Sequence, residues 1–235
     1  MLLYGLAARA AQACYTVVLM DKSTTKRLGS VPGQAPANKG RSFPPEPLTK
    51  AEMEALITAC PARSMTGMRN RALLTVLYRG GLRIAEALAL KASDVDPERG
   101  TVRVLRGKGS KPRTVGLDPG AMASVQRWAD ARKAAGIRNG TLFCTLQGGP
   151  MSQQYVRAML QRTASRAGID KTVRPHGLRH THAVELAAEG VPVNVISKQL
   201  GHSSSAITAR YIDHVAPGDV ITTMQARTWT EPGQS

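Results

Sequence analysis

The sequence has little cysteine, few aromatic residues and half as many acidic residues as basic ones. Its three cysteines, Cys14, Cys60 and Cys144, are odd in number, far apart and never in a C-x-x-C pair. That argues against a disulfide framework or a zinc ribbon and fits a reducing compartment. Aromatic residues make up 4% of 235 residues and hydrophobic residues 42%, so a core must be built mostly from Leu, Val, Ile, Ala and Met. No apolar run is long enough to span a bilayer. The apolar start, Met1 to Met20, is broken by Arg9 and has no basic leader, which argues against a signal peptide. Against 16 Asp and Glu stand 32 Lys and Arg, a formal net charge of +16. Such an excess favours a polyanionic partner, most simply nucleic acid. A membrane surface fits less well, since no Lys/Arg-rich amphipathic helix stands out.

Residues 1–47 read as a flexible basic arm or linker, rich in Lys, Ser, Thr, Gly, Pro and Gln after Met20. They hold six basic and two acidic residues, +4, which leaves 26 basic and 14 acidic residues, +12, in the rest. The folded body opens at Thr49, where Thr49 and Glu52 are spaced as a capping box and Leu48 and Met53 as a hydrophobic staple. A helix is predicted over 49–60. A second over 66–79 puts Met68, Ala72, Leu73, Val76 and Leu77 on one face and stops at Gly80-Gly81. A short third helix starts near Arg83. Residues 101–106 and 113–117 then alternate as a β-hairpin with the basic tip Gly107-Lys108-Gly109-Ser110-Lys111-Pro112, and Ser93–Val95 adds a third strand. Asp118-Pro119 caps a helix to about 135. Further helices are expected over 152–167, from His176 to about Gly190, from Pro192 to Leu200, over 203–211 and over 217–227, with a disordered tail at 228–235. The fold class is therefore mainly α with one small antiparallel β-sheet.

Five separated stretches carry the candidate chemistry. His176 and Arg179 are three residues apart on one helix and share a face. Arg83 and Arg179 can clamp a phosphodiester through charge-assisted hydrogen bonds and stabilise the charge that grows in phosphoryl transfer. Tyr211 is a weak nucleophile at a phenol pKa near ~10 and needs a base or cations to act. His176 and His202 titrate near neutrality and can move protons. Lys108, at a hairpin tip, can protonate a leaving alkoxide; Lys111 is the rival for that role. The motifs contain no cluster of carboxylates for a metal, and His176, His180 and His182 lack a Cys or carboxylate to complete a zinc site. No metal or other cofactor is expected. His180 and His182 read as packing histidines, and Glu185 and Glu189 as a solvated helix face.

Taken together, Gly81-Leu82-Arg83-Ile84-Ala85-Glu86, Gly107-Lys108-Gly109, His176-Gly177-Leu178-Arg179-His180, Leu200-Gly201-His202-Ser203 and Thr208-Ala209-Arg210-Tyr211 resemble the catalytic domain of tyrosine recombinases, the phage integrase family. The stretches follow the family's order, and the likeness covers residues 48–227. The resemblance implies a DNA breaking-and-rejoining fold with Arg83, Lys108, His176, Arg179, His202 and Tyr211 as catalytic residues. Tyr211 would attack the scissile phosphate to give a 3′-phosphotyrosyl link, with no ATP. Glu86 would orient Arg83. Lys111, Arg113, Arg174 and Arg210, the basic neighbours of these motifs, are expected to contact DNA. The implied partners are double-stranded DNA recombination sites, a homotetramer assembled on them and accessory DNA-bending proteins, with no membrane. The implied location is the cytoplasm, at the nucleoid. Most members place a helical core-binding domain before this body; residues 1–47 do not read as one. The rival readings are a DNA-binding module without catalysis and a type IB topoisomerase.

Overall fold

The first helix begins where capping chemistry allows it. Thr49 Oγ accepts the Glu52 N–H at 3.2 Å while the Glu52 carboxylate accepts the Thr49 N–H at 2.7 Å, which starts α1 (Lys50–Thr58). Leu48 and Met53, on either side of the cap, are both buried in the main core. The Leu48 N–H donates to Thr181 Oγ at 3.0 Å and ties the entering chain to a helix far down the sequence. The computed structural model describes residues 46–105, 112–138 and 140–202, all within one unit of the chain. Residues 1–45 of the arm, Lys108, Lys111, Arg210, Tyr211 and the helices expected over 203–211 and 217–227 lie outside the described residues.

Ser64 caps α2 (Met65–Tyr78) by accepting the Gly67 N–H. Gly67 is required by space, since a Cβ there would lie 1.8 Å from the Pro61 carbonyl oxygen. The expected single apolar face understates this helix. Leu74, Thr75 and Tyr78 are buried as well as Ala72, Leu73, Val76 and Leu77, because helices pack on more than one side of it. Next come α3 (Ile84–Ala89) and a 3-10 turn at Ala92–Asp94. The sheet has three antiparallel strands in the order β1 (Val95–Asp96), β2 (Thr101–Val104), β3 (Arg113–Gly116). Val102 faces Val115 and Arg103 faces Thr114 across β2 and β3. Val102, Val104 and Val115 are buried while Arg103 and Thr114 are exposed, the period of two that a one-sided sheet requires. The strand expected at Ser93–Val95 falls later, at Val95–Asp96. The Asp94 carboxylate accepts the Lys91 N–H at 2.9 Å and winds the preceding residues into the turn.

Asp118 and Pro119 open α4 (Pro119–Ala134), which packs against α2 and buries Trp128; its indole N–H donates to the Leu142 carbonyl at 2.9 Å. Then follow α5 (Gln153–Arg166), α6 (Pro175–Ala188) and α7 (Val193–Leu200). α6 lies against α2, and α7 against both α6 and β3. Ala183, Ile196 and Leu200 form a small second core between α6 and α7. Glu185 is not part of a solvated face: its carboxylate accepts the Tyr78 hydroxyl at 2.6 Å and Arg79 at 3.4 Å. The end of α2 presents those donors to α6. Glu189, one turn on, is exposed. No described helix is long and apolar enough to cross a membrane.

Candidate active site

Three chain ends meet at one place: the turn after α2, the first turn of α6 and the last turn of α7. Arg179 joins two of them. Its side chain is buried, and its Nη1 and Nη2 donate to the carbonyls of Gly81 and Leu200, each at 2.6 Å. A guanidinium held by two backbone carbonyls has its plane fixed by the fold. Gly81 permits this approach. It has φ +60°, and a Cβ there would lie 2.6 Å from Leu200 Cδ2 and 2.9 Å from the His182 ring.

Glu86, on α3, ties Arg83 to Arg113 of β3. Its carboxylate is fully buried and accepts the Arg83 N–H at 2.8 Å, Arg83 Nη1 at 2.8 Å, and Arg113 Nη1 and Nη2 at 2.9 Å each. Burial alone would raise its pKa. The Arg113 fork, the Arg83 N–H and the two positive charges outweigh burial and hold it at about 2. The Arg83 side chain remains 43% exposed, and its Nη2 reaches the Gly201 carbonyl at 3.4 Å. Glu86 therefore bonds both the backbone and the side chain of Arg83. Arg113, one of the residues expected to contact DNA, bonds within the protein. Its side chain is 10% exposed, with Nη1 and Nη2 on Glu86 and Nε on the Gln199 carbonyl.

The two histidines of the motifs sit in this positive field. His176, in the first turn of α6, has its pKa lowered by partial desolvation and then by the charges of Arg179 and Arg83. His202 follows the left-handed Gly201, and its N–H donates to the Ser197 carbonyl at 3.0 Å. Burial, then Arg179, Arg83, Arg113 and His176, pull its pKa down to about 4. Both rings are neutral at pH 7. His180 and His182 are buried, as packing histidines are, and His182 stacks edge-on to Tyr78 at 6.5 Å. Arg174, at the start of α6, is exposed and lines a cavity with Ile84, Arg157, Gln161 and His176.

The described part of the site thus gathers Arg83, Arg179, His176 and His202 around backbone carbonyls, with Glu86 and Arg113 behind them. Two cations and two neutral imidazoles suit an oxyanion carrying spread charge, such as a phosphodiester. The sequence motifs contain all four of these residues. They contain the acceptor residues too, but the Gly81, Leu200 and Gly201 carbonyls have no side-chain signature. The glycines themselves were the available signal.

The chain matches the phage integrase family over residues 46–216. Tyrosine recombinase XerD of Corynebacterium glutamicum is 38% identical over 182 residues, covering 75% of this chain and 59% of the relative. Tyrosine recombinase XerC of Halalkalibacterium halodurans is 34% identical over 180 residues, again covering 59% of the relative and here 74% of this chain. The chain therefore spans well under two thirds of the length of these curated relatives. Among solved structures, XerA recombinase superposes with a TM-score of 0.70 at 27% identity, over 95% of this chain and 76% of that one. XerH site-specific recombinase, in a post-cleavage complex with palindromic difH substrate, gives 0.64 at 27% identity, over 78% of this chain and 54% of that one.

Proposed function

The chain belongs to the phage integrase family, and from that premise we propose that it cuts and rejoins duplex DNA at recombination sites through a covalent link to Tyr211. Its fold is that of tyrosine recombinase catalytic domains. The observation that carries the proposal is the meeting of Arg83 and Arg179 at the Gly81 and Leu200–Gly201 turns, with His176 and His202 near enough to feel their charges.

In the proposed reaction the Tyr211 hydroxyl oxygen bonds to the scissile phosphorus as the bond to the 5′-oxygen breaks. The products are a 3′-phosphotyrosyl link and a free 5′-hydroxyl. The phenol proton passes to His176, whose lowered pKa makes it a neutral acceptor at pH 7. Lys108 gives a proton to the leaving 5′-oxygen. Arg83 and Arg179 hold the non-bridging oxygens, and His202 donates a hydrogen bond to them. These contacts strengthen as charge builds on the phosphorane oxygens. Two guanidinium groups then supply the charge stabilisation that metal ions supply in other phosphoryl-transfer sites. A 5′-hydroxyl from a partner strand reverses the step. The ester conserves the energy of the broken bond, so no ATP is consumed. Four protomers on two DNA sites form the working assembly.

A supercoiled plasmid carrying two copies of the DNA that flanks the gene tests this reading. The expected result is rearranged plasmid with the wild-type chain and none with Tyr211→Phe. Relaxation without rearrangement would favour a topoisomerase, and binding with neither would favour a non-catalytic DNA-binding module.

A further inference from the structure

Of the two arginines bonded to Glu86, Arg113 is the less exposed, at 10% against 43% for Arg83, yet no motif assigns it a role in the reaction. Its guanidinium faces both Glu86 oxygens at 2.9 Å, and its Nε donates to the Gln199 carbonyl at 3.3 Å. Its Cδ, Nε and Cζ fill the space left by the missing side chain of Gly201, where a Cβ would lie 2.7 Å from Cδ and Nε. One side chain thus ties β3 to α3 and to the end of α7.

Two consequences follow, one of charge and one of geometry. Glu86 is a single buried negative charge with two arginines on it. With Arg113 in place, one cation neutralises Glu86 and the positive charge of Arg83 is left for a phosphate. Without Arg113, Arg83 alone would have to neutralise the carboxylate, and the two-pronged pairing that carboxylates favour would turn its guanidinium inward. The geometric consequence concerns the turn. Gln199 and Gly201 flank Leu200, whose carbonyl accepts Arg179 at 2.6 Å, while the Gly201 carbonyl accepts Arg83 at 3.4 Å. Gripping Gln199 and Gly201 therefore fixes the acceptors that space the two arginines.

We propose that Arg113 is a positioning residue for strand cleavage: it clamps Glu86 so that Arg83 faces the phosphate, and it wedges the Gln199–His202 turn beside Arg179. It touches no substrate itself. The role rests on reading this site as one that cleaves a phosphodiester, and it takes the place of a direct DNA contact by Arg113.

The test compares rates of covalent complex formation on nicked duplexes for wild type, Arg113→Gln, Glu86→Gln and the double variant, with gel-shift affinities alongside. Arg113→Gln is expected to slow the step by about tenfold or more while affinity changes less than about threefold. In the Glu86→Gln background the same change is expected to slow it by less than about threefold, because no buried carboxylate is left to neutralise. An unchanged rate, or an equal loss in both backgrounds, overturns the proposal. If Arg113→Gln does not fold, Arg113→Met in both backgrounds removes the charge and the fork, keeps apolar bulk beside Gly201 and supports the same comparison. A second readout needs no cleavage. Removal of Arg113 is expected to move the His202 imidazole titration upward in the DNA-free protein, read by NMR, since one nearby charge and the wedge are lost together. A titration that stays in place overturns the wedge. A wild-type chain that forms no Tyr211-dependent complex instead defeats the cleavage reading, and the NMR result still decides whether Arg113 holds the turn.

Discussion

A fully buried carboxylate is stable only when its charge is met, and Glu86 meets donors from Arg83 and Arg113. The effect has a definite pH signature. The Glu86 carboxyl has a folded pKa of about 2 against an ordinary value of 4.5. A depressed carboxylate contributes stability above its unfolded pKa and loses it as pH falls toward the folded one. The loss from Glu86 therefore falls between pH 4.5 and about 2 and amounts to about 3 kcal/mol at most. His182 and His202 act in an earlier window. Each is held neutral to about pH 4 against an ordinary 6.5, so each removes stability as pH falls from 6.5 toward about 4. Urea unfolding across this range is expected to show two successive declines. Glu86→Gln should flatten the lower one and leave the upper one in place.

At the scale of elements, the site depends on how α2 and α7 end and how α6 begins. Gly201 closes α7 with φ +65°, and its missing side chain leaves room for Arg113. Gly201→Ala is expected to destabilise the protein by about 1–3 kcal/mol from backbone strain, with further loss from the displaced guanidinium. Its effect on covalent complex formation should exceed its effect on stability, measured by comparing trapping rates with unfolding midpoints. The same elements show what the sequence discloses. The Thr49, Asp118 and Ser152 caps were readable because each side chain meets a backbone N–H three residues away. The alternation of β2 and β3 was readable because one face is buried. The inward turn of Arg113 was not, since its partner Glu86 is 27 residues away and belongs to another element. Glu185 was misread for the same reason: nothing local announces that Tyr78 and Arg79 stand opposite it. The side chains proposed for catalysis lie in motifs, but the carbonyls that fix Arg179 depend on tertiary packing.

At the scale of the whole molecule, the net charge of +16 fits binding to DNA largely through phosphates. Arg174 is exposed at the start of α6, next to the site, and is not spent on the Glu86 cluster. Arg174→Gln is expected to reduce the slope of log affinity against log salt by about 1 while leaving thermal stability nearly unchanged, as loss of one phosphate contact requires. An unchanged slope would place Arg174 away from the DNA backbone. Everything proposed for the site converges on one covalent species. The chain and its Tyr211→Phe variant can be incubated with nicked suicide duplexes that a longer relative cleaves, and then resolved under denaturing conditions. The expected result is a denaturation-resistant protein–DNA band that requires Tyr211 and persists in chelator. DNA binding with no band, or a band that survives Tyr211→Phe, would contradict cleavage through Tyr211.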